Sequence, residues 1–152
     1  MPAGGVPDIG HANILTLEEM HQVVQAAASV GVDSVRLTGG EPLVRKNIVQ
    51  LVKDIAATPQ IEEVALTTNG MLFAEMAQEL KQAGLRRVNF SLDTLNAAVF
   101  QKLTGADGLP QVLRAISLAL ELGLSPVKIN TVVLRGINEQ EVVELAYLAK
   151  TM

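Results

Sequence analysis

Three short polar motifs each follow an apolar run in this 152-residue chain. They are TGGEP at 38–42, TTNG at 67–70 and SLD at 91–93. Bare glycine backbone and short hydroxyl or amide side chains are groups that hydrogen-bond a small polar ligand. If each run is a parallel strand, the motifs share the edge of the sheet where α/β enzymes bind ligands. Each motif alone is more typical of a turn or helix cap, but together they favour a binding site.

The groups near these motifs indicate what such a ligand would carry. The backbone of Gly39 and Gly40, with the carboxylate of Glu41, offers acceptors to an ammonium group. Arg36 and Lys128 fall on strand faces that we predict to point inward, where a cation is costly unless an anion such as a polyphosphate meets it. The alternatives are that each cation pairs with a neighbouring carboxylate, or that the faces are inverted and both cations are solvated.

Predicted helices and strands alternate along the chain. Thr16 and Glu19 predict a capping box for a first helix that stops at Gly31. The predicted strands cover 35–37, 64–68, 88–92 and 127–134. A second helix is predicted to begin after Asn47, a third to cover 73–83, and helical segments after the third strand to end near Gly123. A last helix is predicted to begin after a capping box of Asn138 and Glu141. This order calls for parallel strands joined by helical crossovers.

Each predicted strand separates an apolar face from a polar one at period two. The polar positions are Arg36, Thr38, Thr67, Asn69, Asn89, Ser91, Asp93, Lys128 and Asn130. The central strands of a doubly wound sheet need two apolar faces, whereas a barrel can enclose a wet interior. We therefore predict an α/β fold in which about four parallel strands form part of a (β/α) barrel. The hydroxyl of Thr67 would then face the interior, within reach of a ribose or phosphate.

Composition excludes several classes of function. With 12 Lys and Arg against 16 Asp and Glu, the net charge of −4 argues against a nucleic-acid surface. No apolar run approaches the length of a membrane span and no leader pattern opens the chain, so we expect a cytoplasmic protein with no membrane partner. The chain has no cysteine, and His11 and His21 alone make no metal site, so we predict no metal ligand.

Longer strings around these motifs carry a family resemblance. VRLTGGEPLVRK, LTTNG, AGLRRVNFSLDTL and KINTVVLRGIN resemble the radical S-adenosylmethionine (SAM) enzymes, and among them the GTP 3′,8-cyclases of molybdenum cofactor biosynthesis. The resemblance covers nearly the whole chain and implies a barrel of the radical SAM type. It also implies that Gly40 and Ser91 bind SAM, and that Arg36, Thr67 and Lys128 bind GTP.

The resemblance implies a lyase that uses SAM and [4Fe-4S] clusters as cofactors. In that family a cluster held by three cysteines reduces SAM, and the radical released abstracts a hydrogen from the ribose of GTP. The product is (8S)-3′,8-cyclo-7,8-dihydroguanosine 5′-triphosphate, in the first step of molybdopterin formation. The barrel holds SAM and GTP within reacting distance.

The chain departs from the family pattern because it contains no cluster ligand. In relatives a Met-Pro pair follows the third cysteine, and here Met1 and Pro2 open the chain. We therefore expect residues 1–152 to be a partial radical SAM core domain that lacks the first strand with its cluster loop and the C-terminal part. We predict no catalytic residue in it and expect it to be inactive alone.

Other functions stay open at this point. The chain could belong to another radical SAM enzyme, one that modifies peptides or haem, or it could be a non-catalytic nucleotide-binding module. GTP is the expected partner as substrate. The two outer strands would expose parallel edges, which predicts a homo-oligomer or a complex with another subunit.

Overall fold

The computed structural model describes residues 14–151 of the chain. Its helices are α1 (Leu17–Ser29), α2 (Ile48–Ala56), α3 (Phe73–Gln82), α4 (Ala97–Thr104), α5 (Leu109–Glu121) and α6 (Val142–Thr151), and its strands are β1 (Ser34–Leu37), β2 (Glu63–Thr68), β3 (Leu85–Ser91) and β4 (Val127–Asn130). Two 3-10 turns cover Pro42–Val44 and Glu139–Glu141. The predictions for Met1, Pro2 and His11 lie outside the described residues.

The four strands form one parallel sheet in the order β1-β2-β3-β4. Each strand therefore pairs with the next strand along the chain. A doubly wound sheet reverses its strand order partway, whereas the wall of a barrel does not. The predicted α/β class is confirmed, and the arrangement is that of a partial (β/α) barrel.

The apolar faces of the strands carry the hydrophobic core. Leu66, Val88 and Phe90 are fully buried, and helices α2, α3 and α5 pack against this sheet. The ring of Phe90 meets that of Phe73 from α3 edge to face, with 5.2 Å between the ring centroids. Because the helices cover the apolar face, the polar side chains of the strands are left on the opposite face, as the alternation predicts.

The capping box of α1 is confirmed. The Thr16 hydroxyl accepts a hydrogen bond from the Glu19 amide at 3.1 Å, and the Glu19 carboxylate accepts one from the Thr16 amide at 2.8 Å. These bonds satisfy two donors that the first turn of a helix otherwise leaves free. Two short-range signals in the sequence thus fix where α1 begins.

Three local predictions are wrong. Asn47 precedes α2 but lies in the left-handed region, with φ 60°, and its side chain makes no capping bond. Asn138 likewise makes no capping bond; a 3-10 turn precedes α6, and the side chains of Asn138 and Glu141 bind elsewhere. The fourth strand ends at Asn130 rather than at Leu134, because the next bonds to the loop after β3 involve the side chains of Thr131 and Asp93 instead of a backbone ladder.

Among residues 14–151, no helix combines the length and apolar character needed to span a membrane.

Gly84 tests how tightly α2 packs against the turn into β3. Its φ is +107°, and a Cβ there would lie 2.6 Å from the Cβ of Ala56. Gly123 has φ +66° with no atom within 4 Å of such a Cβ, so it serves as the matched control. We expect Gly123→Ala to lower the free energy of unfolding by about 1 kcal/mol from backbone strain alone. Gly84→Ala should lower it by about 2–4 kcal/mol, since contact adds to strain.

Denaturant unfolding of both variants measures the difference. Adding Ala56→Gly to Gly84→Ala removes the close contact and should recover part of the loss. Equal losses for Gly84→Ala and Gly123→Ala would contradict this close packing.

Candidate functional site

The polar face of the sheet brings the side chains of all four strands into rows. One row holds Thr67, Asn89 and Lys128, which lie side by side on β2, β3 and β4. The neighbouring row toward the amino ends holds Arg36, Ala65 and Arg87, and the row toward the carboxyl ends holds Ser91 and Asn130. The register therefore assembles the predicted GTP positions on one surface, together with Ser91.

The outer positions of this surface are exposed in the described part of the chain, whereas Ala65 and Asn89 at its centre are buried. Arg36, Lys128, Ser91 and Gly40 are exposed, and Thr67 is half-buried. Neither Arg36 nor Lys128 forms an ion pair within residues 14–151. The two cations lie on the outer strands, three strand spacings or roughly 14 Å apart along the sheet. Their backbone positions are well separated, so both cations can meet one ligand only through the reach of their long side chains.

The glycine motif after β1 lines a cavity of about 890 Å³. Its walls come from residues 38–42, from the start of α1 and from the loop that carries Arg45 and Lys46. A Cβ placed on Gly39 would meet no atom within 4 Å, and its φ of +158° is one that residues with a side chain rarely adopt, so the backbone conformation rather than packing favours glycine there. Open space beside a bare backbone is what a ligand needs to approach it closely.

Hydrogen bonds to Glu41 join the TGGEP motif after β1 to the TTNG motif at the end of β2. The Glu41 carboxylate accepts hydrogen bonds from the Thr68 hydroxyl at 2.8 Å, the Asn69 amide at 2.7 Å and the Leu43 amide at 3.0 Å. The Thr68 hydroxyl in turn accepts one from the Gly70 amide at 3.0 Å. This carboxylate therefore shapes the site by joining the ends of β1 and β2, whereas the sequence indicated it as an acceptor for a ligand.

Hydrogen bonds from Asn138 join the SLD motif after β3 to the segment after β4. Asn138 is 1% exposed, and its amide group donates to the carbonyl oxygens of Asp93 and Val132 at 2.7 and 2.9 Å. The Asp93 carboxylate accepts from the Val132 amide at 2.8 Å. Sequence spacing suggested a helix cap at Asn138, but its side chain forms these hydrogen bonds to residues distant along the chain instead.

Glu141 adds to this second connection, whereas Glu139 binds within the segment after β4. The carboxylate of Glu141 accepts hydrogen bonds from the Thr94 hydroxyl and the Leu95 amide, both at 2.6 Å. The carboxylate of Glu139 accepts from the amides of Gly136 and Ile137. Backbone hydrogen bonds, the one from Gly136 foremost, lower the pKa of Glu139.

Each motif divides into residues that hold the fold and residues that face solvent. Gly70 is buried with φ +82°, and a Cβ on it would lie 3.1 Å from the Phe90 side chain, so the turn itself requires glycine there. Glu41 and Asp93 are bound within the fold, as above. Gly40 and Ser91 remain exposed at the carboxyl ends of their strands. The turn interpretation thus applies to Gly70, while Gly40 and Ser91 stay predicted ligand positions.

Two residues of the polar face were not among the predicted ligand positions. Arg87 lies within β3 with a side chain 22% exposed. Its Nε atom is 3.2 Å from a carboxylate oxygen of Glu63, close enough for an ion pair although not aligned as a hydrogen bond. Asn89 is 3% exposed and its Oδ1 atom has no hydrogen-bond partner among residues 14–151. The alternation of side chains along β3 predicts which face of the sheet Arg87 and Asn89 share, but it does not predict how deeply they are buried.

The residues present do not fit an iron–sulfur cluster. Such clusters are held mainly by cysteine thiolates, and the chain contains no cysteine. Residues 14–151 also contain no group of three or more His, Asp or Glu side chains placed to hold a metal ion. The polar face instead presents backbone, hydroxyl, amide and cationic groups.

Comparison with known proteins agrees with this sheet and its motifs. The sequence profile of the Radical SAM superfamily matches residues 3–149, and the chain belongs to this superfamily. Among curated proteins it is similar to enzymes named GTP 3′,8-cyclase. The chain is 53% identical to the one from Desulforamulus reducens, 51% to that from Syntrophomonas wolfei and 49% to that from Moorella thermoacetica, each over 150 residues.

These alignments cover 99% of this chain but 46% of each relative. The chain therefore spans about half the length of the curated relatives it matches. The resemblance seen in the sequence motifs is confirmed by these matches.

The connection made by Glu41 can be tested through stability. We expect Glu41→Ala to lower the free energy of unfolding by about 2 kcal/mol, because it removes three hydrogen bonds to an ionised group and leaves donors from two loops unpaired. Glu62→Ala, at an exposed glutamate beside β2, is the control and should change it by less than about 0.5 kcal/mol. Denaturant unfolding gives both values. Equal effects of the two substitutions would show that Glu41 does not hold the loops together.

Proposed function

We propose that this chain binds SAM and GTP as part of a GTP 3′,8-cyclase, with residues 1–152 forming part of its radical SAM core domain. The reaction converts GTP, with SAM, to (8S)-3′,8-cyclo-7,8-dihydroguanosine 5′-triphosphate in molybdenum cofactor biosynthesis. The observation that carries the proposal is the register that brings Arg36, Thr67 and Lys128 to the polar face of one sheet. About 50% identity to cyclases over the same residues supports it.

The proposed SAM positions are Gly40 and Ser91. Gly40 lines the cavity after β1, where Gly39 leaves open space beside the backbone. Carbonyl groups of such a backbone accept hydrogen bonds from an ammonium group, as the methionyl part of SAM provides. Ser91 is exposed near the end of β3 and offers a hydroxyl to the same ligand.

The proposed GTP positions are Arg36, Thr67 and Lys128. The two cations form no ion pair within residues 14–151, so both are available to a triphosphate. Ala65 lies beside Arg36 in the register and is itself buried, so Arg36 is the exposed cation at this end of the face. The Thr67 hydroxyl lies between these strands and can bind a ribose or phosphate oxygen.

The contribution of these residues is to bind and orient the two substrates. The residues of this chain do not fit a cluster, so no electron-transfer step is assigned to them. Self-association through β1 and β4, a cytoplasmic location and the absence of a nucleic-acid partner stay predictions.

The missing thiolates give a direct expectation for activity. The purified 152-residue chain, treated anaerobically with iron, sulfide, reductant and SAM, should release no 5′-deoxyadenosine, because it has no cysteine to hold the cluster. The GTP 3′,8-cyclase of Moorella thermoacetica, treated in parallel, is the positive control. Chromatographic detection of 5′-deoxyadenosine from the 152-residue chain above its reagent blank would refute the expectation.

Binding of GTP tests the proposed function separately from catalysis. We expect Arg36→Ala and Lys128→Ala each to weaken GTP binding about tenfold at low salt, because each removes a charged hydrogen-bond donor for the triphosphate. Lys102→Ala, an exposed lysine on α4, is the matched control and should bind GTP like the unchanged chain. NMR titration measures binding even when it is weak.

The same titrations separate the other candidate functions. A peptide- or haem-modifying enzyme has no use for a triphosphate site, so the chain would bind SAM but not GTP. A non-catalytic nucleotide-binding module would bind GTP but not SAM. Binding of both ligands is the result expected for a cyclase.

A further inference from the structure

Asn89 is a buried polar residue at the centre of the polar face. It is 3% exposed, yet its Oδ1 atom forms no hydrogen bond within residues 14–151. Buried side-chain acceptors are nearly always paired, because removing an acceptor from water without a new partner is unfavourable. Arg87 Nε, on the same face of β3, also forms no hydrogen bond but lies 3.2 Å from the Glu63 carboxylate. The Asn89 acceptor still needs an explanation, and a bound ligand that supplies the donor is one.

The neighbours of Asn89 place this atom within the proposed GTP site. Thr67 lies beside it on β2 and Lys128 beside it on β4, in direct register. Neither side chain hydrogen-bonds to Asn89, although both carry donors. Ser91, the proposed SAM position, lies two residues further along the same face. Asn89 thus shares its row with two proposed GTP contacts and lies between them.

We propose that Asn89 binds the nucleoside part of GTP by accepting a hydrogen bond from it at Oδ1. The inference rests on the proposed function and adds a residue that recognises the nucleoside rather than the charge of the phosphates. Ionised phosphate oxygens accept hydrogen bonds and cannot supply a donor to Oδ1. A sugar hydroxyl or a guanine N–H can. Lys128 and Arg36 then hold the triphosphate, while Asn89 distinguishes a nucleotide from a bare polyphosphate.

The competing explanation is that Asn89 serves the fold alone. Asn89→Leu separates the two, because leucine has the same number and branching of side-chain heavy atoms as asparagine and removes the unpaired acceptor. If the acceptor is kept for a ligand, the midpoint of thermal unfolding of Asn89→Leu should be equal to or above that of the unchanged chain. If the fold depends on the amide, the midpoint should fall.

The experiment compares GTP with inorganic tripolyphosphate by NMR titration of the full 152-residue chain. Asn89→Leu should bind GTP about tenfold more weakly and tripolyphosphate as the unchanged chain does. Lys128→Ala should bind both more weakly, since it removes a phosphate contact. GTP analogues lacking the 2′- or 3′-hydroxyl, and inosine triphosphate, which lacks the 2-amino group, then identify the donor. The analogue without that donor should bind equally to the unchanged chain and to Asn89→Leu.

A second variant keeps the acceptor. Asn89→Asp retains an oxygen at this position but adds a charge that repels phosphates, so it is compared with the others using guanosine. We expect Asn89→Asp to bind guanosine and Asn89→Leu to bind it about tenfold more weakly. Weaker guanosine binding by both variants alike would contradict a role for the oxygen.

The remaining outcomes are decisive in different ways. Unchanged GTP affinity in Asn89→Leu, or loss of SAM binding instead of GTP binding, would overturn the inference and leave the proposed function standing. A lower unfolding midpoint together with weaker binding of both GTP and tripolyphosphate would assign Asn89 to the fold. If the unchanged chain binds neither GTP nor tripolyphosphate, the proposed GTP site itself fails, and the role of Asn89 with it.

Discussion

A strand has two faces, and in this chain helices bury only one of them. Val64, Leu66, Val88 and Phe90 point into that core and fix the orientation of every second residue. The intervening residues must then share the other face, because a shift of one position would bury charges and expose the core. This constraint places Arg36 on the same surface as the row of Thr67, Asn89 and Lys128.

The loops at the carboxyl ends of the strands are held by polar side chains as well as by buried apolar residues such as Leu43 and Leu92. Glu41 joins the ends of β1 and β2, while Asn138 and Glu141 join the loop after β3 to the segment after β4. Each connection uses acceptors or donors that reach backbone groups of a different loop. Loops bound in this way keep their shape without covering the face that a ligand must reach.

The sequence predicted what depends on near neighbours and missed what depends on distant ones. Thr16 with Glu19 and Asn138 with Glu141 have the same three-residue spacing, and only the first pair forms a capping box. The second pair finds Asp93 and Thr94 within reach, and a motif search along the chain cannot see partners about 45 residues away. Strand faces, in contrast, follow from alternation alone, so the polar surface was predictable.

Side-by-side pairing of consecutive strands also affects how the chain can fold. Leu66 pairs with Val88 and Val88 with Val127, so no strand has to wait for a partner from the far end of the sequence. Folding is faster when contacting segments are close along the chain, and domains begin to fold from the amino terminus during synthesis. A sheet of this order can grow by one strand at a time as the polypeptide leaves the ribosome.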